Sequence, residues 1–229
     1  MNKILIIGAG AMGSAFSVPC LENRNDVSLI GTFLENDLIK SLKKNNNYHP
    51  ALNINLPKNL NVERHDQIEK LTRSGVDFVV AGISSVGIEW FANEISKFYN
   101  KKTSIILLTK GLAIEDDHLI TLSKKLENIL RTNGHKDVDI SSVKGPCLAS
   151  GLAHKMRTST VIANENIKKA QEIQRLISTK YYRCEITDDV PGVEFSSAIK
   201  NIYSMLIGAA EGLSNPAAPM EIQKKFYLN

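Results

Sequence analysis

Short apolar runs alternate with amphipathic stretches along the chain. Residues 3–7 (KILII) form an apolar, β-branched run, the pattern of a strand buried on both faces of a parallel sheet. A glycine-rich turn follows at 8–13, and the small residues from Ser14 onward open a helix over 14–22. The same reading predicts strands at 26–30, 77–82, 104–108, 139–143, 159–163 and 181–186, with a short strand-like piece from Val62. Helices are predicted over 38–45, 67–73, 88–99, 118–132 and 167–178; Ile88, Phe91, Ile95 and Phe98 recur at helical spacing in the third of these. Strand–helix alternation through Thr187 predicts an α/β class, a Rossmann-type, mostly parallel, doubly wound sheet followed by the start of an all-α domain.

The alternation stops at Asp188-Asp189-Val190-Pro191-Gly192, where proline and glycine break the pattern and the aspartates can cap a new helix. One long helix is predicted over 193–213, then a tail with two prolines. The expected domains are therefore 1–188, a dinucleotide-binding unit, and 189–229, the truncated start of a helical substrate domain. In such sheets ligands lie beyond the carboxyl ends of the strands. Residues 8–13, Gly31-Thr32, Ser84-Ser85, 109–111 and 145–147 are expected to line one crevice.

Composition narrows the function classes. Of 229 residues, 43% are hydrophobic and 23% charged, ordinary for a globular chain, and the net charge of +4 suits anionic small molecules but is too weak to argue for nucleic acid. No stretch has the length of a membrane span. The cysteines, Cys20, Cys147 and Cys184, are scattered and odd in number, which suggests neither a disulfide framework nor a zinc site and fits a reducing, cytoplasmic setting.

Gly8-Ala9-Gly10-Ala11-Met12-Gly13 is a GxGxxG between a strand and a helix, the context the dinucleotide fingerprint requires. Gly8 serves the tight turn, Gly10 the approach of backbone N–H groups to a pyrophosphate, and Gly13 close helix–strand packing. The acid that would hold a ribose 2′-hydroxyl is missing from the tip of the second strand; Glu35 comes a few residues late, so NAD and NADP both stay open. Lys110, in a strand-end TKG, is placed for a phosphate, carboxylate or substrate oxygen. Cys147, in the strand-end turn GPCLA, has no histidine partner and reads as a packing residue.

The helix from Val193 carries SAIKNIY at 197–203, one lysine in an otherwise apolar helical run. About two-thirds of its circumference is apolar, so it is expected to be mostly buried, with Lys200 and Asn201 on a small polar stripe. No other charge lies between Phe195 and Ala210, which argues for a lysine facing a cleft rather than snorkelling to the surface. Desolvation and a second lysine nearby both suit such a group to general acid–base work.

GAGAMGSA at the N-terminus, LLTKGL at 107–112, KGPCLA at 144–149 and GVEFSSAIKNIYSMLIGAAEGL at 192–213 together resemble the NAD(P)-dependent glycerol-3-phosphate dehydrogenase family, in order and spacing. The resemblance implies reversible hydride transfer between dihydroxyacetone phosphate and sn-glycerol 3-phosphate, with NAD or NADP as cofactor and a possible homodimer. By motif match, Lys200 is the acid–base group with Asn201 supporting it. Lys110, Gly145 and Cys147 contact substrate. Ala11, Met12, Thr32 and Ala149, with Lys110, approach the cofactor. The family continues through further helices whose Arg-Asn pair grips the substrate phosphate, so this chain is expected to be a C-terminally truncated member with weak or no turnover. A non-catalytic dinucleotide-binding module and, less closely, a ketopantoate or β-hydroxyacid reductase are the alternatives.

Overall fold

The computed structural model describes residues 1–73 and 75–214, with side chains to Ala210. The elements in chain order are β1 Lys3–Ile7, α1 Ala11–Glu22, β2 Asp26–Ile30, α2 Asn36–Lys44, β3 Tyr48–His49, β4 Ile54–Asn55, β5 Asn61–Glu63, α3 Ile68–Thr72, β6 Phe78–Ala81 and α4 Ile88–Ser96. They continue with β7 Ser104–Leu107, β8 Leu112–Glu115, β9 His118–Thr121, α5 Leu122–Thr132, β10 Ile140–Lys144, α6 Ala149–Ala153, β11 Thr158–Ala163, α7 Ile167–Ile177, β12 Tyr182–Thr187 and α8 Val190–Ser214.

Eight strands form one sheet in the order β12-β11-β10-β7-β6-β1-β2-β5. From β5 to β10 every pairing is parallel, which is the 3-2-1-4-5-6 order of a dinucleotide-binding sheet. β11 then pairs antiparallel with β10, and β12 runs parallel to β11. The mostly parallel, doubly wound expectation holds, with the last two strands reversed.

Alternation along β1 explains the two layers. Ile4 and Ile6 join one core cluster with Phe16 of α1, Ile39 of α2 and Ile173 of α7; Leu5 and Ile7 join the other with Phe91 of α4 and Leu126 of α5. β1 is enclosed on both faces, so nearly every residue of KILII is apolar. α1 is buried from Gly13 to Leu21 and has no polar face to advertise it.

Three features depart from the sequence reading. Residues 118–121 form the second strand of a hairpin, β8–β9, not the start of a helix. Asp116 and Asp117 both take positive φ (49° and 60°), the geometry of a two-residue hairpin turn, and the helix starts only after the Thr121 hydroxyl accepts from the Lys124 N–H at 3.2 Å. Ala149, expected to close the GPCLA turn, instead opens a short helix, α6, over 149–153. α8 begins at Val190, with Pro191 in its first turn and the Gly192 N–H donating to Asp189 Oδ1 at 2.8 Å.

The expectation of a mostly buried last helix is also corrected. Residues 201–210 are exposed all round, Ile202, Tyr203, Met205 and Leu206 each by more than half. No other described element covers them. The proline-containing tail, 215–229, lies outside the described residues.

Candidate functional site

The glycine-rich turn joins β1 to α1 at the carboxyl edge of the sheet. Gly8 has φ +110°, a backbone region that disfavours side chains, and a Cβ there would run into the Gly82 carbonyl. A Cβ on Gly13 would strike the Gly8 carbonyl, so α1 lies against the turn and β6 only because both positions lack side chains. The Ala9 carbonyl accepts from Ser14 Oγ at 2.9 Å and lies 3.0 Å from Nε2 of buried His49, which fixes the turn from behind. Gly10 caps α1 without a side-chain hydrogen bond, and the first turn carries no acid. The first N–H groups of α1, with the helix dipole behind them, can therefore receive an anion such as a pyrophosphate.

The other predicted strand ends meet on the same edge. The Gly8 N–H donates to the Ile30 carbonyl at 2.8 Å, and the Thr109 hydroxyl donates to the Ile83 carbonyl at 2.9 Å. A Cβ on Gly111 would sit 3.3 Å from that of Ser85. Half-buried Ala11, Met12 and Ala149 border one core cluster, and α6 packs on α1. Thr32 is half-buried at the tip of β2.

The reversal of β11 and β12 explains how Lys200 arrives here. β12 ends near the amino edge, and α8 climbs back along β10. Glu194, fully buried, pins it: Oε1 accepts from Ser142 Oγ of β10, and Oε2 accepts from the Ser123 N–H of α5 at 3.2 Å. Lys200 comes six residues later, about 9 Å along the helix axis, within electrostatic reach of Lys110 at the end of β7. Lys200 and Asn201 are exposed, and Lys110 is exposed in part while its ammonium is partly desolvated.

Partial burial, with Lys200 adding to it, holds the Lys110 ammonium below its usual range, while Cys147 acts in the opposite direction. Burial pushes the Cys147 thiol up, so it stays protonated and serves packing. Beneath them lies Lys144, which sequence reasoning did not single out. It is 3% exposed and donates to the Leu107 carbonyl at 2.7 Å. Burial pulls its pKa down to about 8, with Glu194 opposing and Lys110 reinforcing. Its place beside Gly145 at a strand end was the available signal. Lys110, Lys144 and Lys200 make this edge cationic, able to attract a phosphorylated anion and to move a proton beside it. A cleft of about 540 Å³ opens elsewhere, near the amino end of β10, lined by Asp139, Asn164, Lys169, Val190 and Phe195 among others; none of the predicted residues lines it.

Glu35 is the second residue whose importance the sequence understated. Its carboxylate folds back onto the tip of β2, where Oε2 accepts from the Ala9 N–H at 3.0 Å and the Thr32 N–H at 2.7 Å. A carboxylate thus stands at the tip of β2, brought there from the turn before α2.

Comparisons with known proteins bear on the family and the fold. The chain is 31% identical over 209 residues to the NADP(+)-dependent glycerol-3-phosphate dehydrogenase of Archaeoglobus fulgidus, covering 91% of this chain and 60% of that protein. It is 27% identical over 215 residues to the glycerol-3-phosphate dehydrogenase [NAD(P)+] of Oceanobacillus iheyensis, covering 93% and 59%. The crystal structure of glycerol-3-phosphate dehydrogenase from Coxiella burnetii superposes with a TM-score of 0.74 at 25% identity, over 93% of this chain and 62% of that one. The chain therefore spans about three-fifths of the length of these relatives. Residues 3–170 match the model of the NAD-dependent glycerol-3-phosphate dehydrogenase N-terminus, and the chain belongs to that family.

Proposed function

We propose that this chain carries the dinucleotide-binding and proton-transfer part of a glycerol-3-phosphate dehydrogenase, which interconverts dihydroxyacetone phosphate and sn-glycerol 3-phosphate. The observation that carries the reading is the pair Lys110 and Lys200, delivered by a strand end and a helix to the edge that also holds the glycine-rich turn. We place the division between a dinucleotide-binding unit, 1–188, and the start of a substrate unit, 189–229, where β12 gives way to α8.

The cradle of Gly8 and Gly13 and the uncapped start of α1 fit NAD or NADP. Gly8, Gly10, Ala11, Met12 and Gly13 would hold the pyrophosphate, with Thr32, Ala149 and Lys110 at its flanks. When bound, the nicotinamide supplies or accepts the hydride. Lys200 gives its proton to the carbonyl oxygen during reduction and takes it from the C2 hydroxyl during oxidation. Lys110 polarises the same oxygen. Gly145 and Cys147 border the substrate, and Asn201 supports Lys200. The substrate's phosphate is drawn by the three-lysine edge.

Calorimetric titration with NADH and absorbance-followed NADH oxidation with dihydroxyacetone phosphate test this reading. The expected result is binding of the dinucleotide and weak oxidation that Lys200→Ala abolishes, with binding unchanged. Exposure of 201–210 favours a second reading, a non-catalytic dinucleotide-binding module. Binding without any oxidation would select it.

Three free, buried cysteines support a reducing, cytoplasmic setting, and no described helix is long and apolar enough to cross a membrane. The exposed apolar side chains of α8 support a homodimer formed through that helix. Light scattering of the 25.3 kDa chain should then return twice that mass.

A further inference from the structure

We propose that Glu35 makes this chain selective for NAD(H) over NADP(H), by placing a carboxylate where the 2′-phosphate of NADP(H) would lie. The inference rests on the dinucleotide-binding reading above and extends it to the choice between the two cofactors.

In dinucleotide-binding sheets the adenosine ribose is recognised by an acid at the tip of the second strand, which accepts from the 2′-hydroxyl and repels a 2′-phosphate. Here that tip is Gly31-Thr32, with no acid of its own. Glu35 fills the position through space. Its Oε2 is fixed by two backbone N–H groups, Ala9 in the glycine-rich turn and Thr32 at the strand tip. These bonds tie the carboxylate to both sides of the groove between β1 and β2. Oε1 accepts no hydrogen bond among the described residues, and a Cβ built on Gly10 would meet nothing within 4 Å except that oxygen, at 3.7 Å. The groove in front of Gly10 is thus open, with one carboxylate oxygen facing it.

Such an oxygen can accept from a ribose hydroxyl, whereas a phosphate in the same place offers only oxygens and negative charge. No arginine or lysine stands at 31–35 to offset that repulsion; the segment reads GTFLE. The turn itself keeps Glu35 in position, because Glu35 N–H donates to the Thr32 carbonyl at 3.0 Å and the Glu35 carbonyl accepts from Ile39 N–H at 2.9 Å. The carboxylate is therefore held by its own backbone as well as by the two hydrogen bonds it accepts, and is preorganised before any ligand arrives.

Separate calorimetric titrations of the unmodified chain with NADH and NADPH test the proposal, followed by the same titrations of Glu35→Gln. The amide oxygen of glutamine can keep the two backbone hydrogen bonds while the charge is lost. The unmodified chain should bind NADH at least about tenfold more tightly than NADPH, about 1.4 kcal/mol. Glu35→Gln should bring the two within about threefold, chiefly by tightening NADPH. Equal affinities in the unmodified chain, or a ratio that Glu35→Gln leaves unmoved, would overturn the proposal while the dinucleotide-binding reading stood. Failure of both ligands to bind would overturn the two together.

Discussion

Lys144 is the residue whose chemistry differs most from its ordinary behaviour. It is buried with one hydrogen bond to the Leu107 carbonyl, and its pKa falls from the usual lysine range to about 8. The folded chain therefore releases this proton at a lower pH than the unfolded chain does. Between about pH 8 and the ordinary lysine range near 10.4, the unfolded state binds more protons, so stability attributable to this group rises with pH. Below about 8 both states are protonated, and the full burden of a buried ammonium is present. Denaturant unfolding of the unmodified chain should gain on Lys144→Met across that window, by up to about 1.4 kcal/mol per pH unit for one proton. Parallel stability curves for the two proteins from pH 8 to 10 would exclude the coupling. The sequence disclosed the kind of group at this scale, not its depth. Lys110 and Lys200 stood out because a motif and an apolar helix framed them. Lys144 sat one residue before Gly145 with nothing local to mark it as buried, since burial depends on α8 and Glu194, fifty residues away. Glu35 lies past the tip of the second strand in sequence, and only the folded turn brings its carboxylate back to Thr32.

At the scale of elements, legibility followed periodicity. β1, β2, β6 and β7 were read closely because enclosed strands admit almost only apolar residues. The β8–β9 hairpin was missed because its positive-φ turn is built from Asp116-Asp117, without the glycine that normally marks such a turn. For α8, apolar content was mistaken for burial; only the first turns pack, and the anchor is a charged side chain. Glu194 binds Ser142 and Ser123 and offsets the Lys144 ammonium. Glu194→Ala would leave that ammonium buried without a countercharge and two donors without their acceptor. The expected destabilisation is about 3–5 kcal/mol, read from urea unfolding at pH 7. Glu194→Gln should recover part of it by restoring acceptors without charge. A loss below about 1 kcal/mol for the alanine variant would mean that α8 is held by its apolar contacts alone.

For the whole molecule, the consequential feature is the reversal of β11 and β12. Had the sheet stayed parallel to its edge, the chain would have entered α8 on the carboxyl side and run away from the crevice. Because β12 ends near the opposite edge, α8 crosses the height of the sheet and brings Lys200 to Lys110. The glycine-rich turn shares that edge, at the centre of the parallel strands. Ligand binding at the turn should therefore stabilise the sheet as a unit. A ligand that binds only the folded state adds RT ln(1 + [L]/Kd), about 2.7 kcal/mol at a hundred times Kd. For a chain of this size that corresponds to a rise of about 5–10 °C in Tm. NADH at a hundredfold excess over its titrated Kd should produce that shift in the unmodified chain. Gly13→Ala should lose it at the same NADH concentration, because the added Cβ strikes the Gly8 carbonyl and forces α1 away from the turn. The comparison is of each protein with and without NADH, so a lower starting Tm in the variant does not confuse it. An equal shift in both would mean that the dinucleotide stabilises the chain from somewhere other than the β1–α1 turn, and the site would have to be sought elsewhere on the sheet.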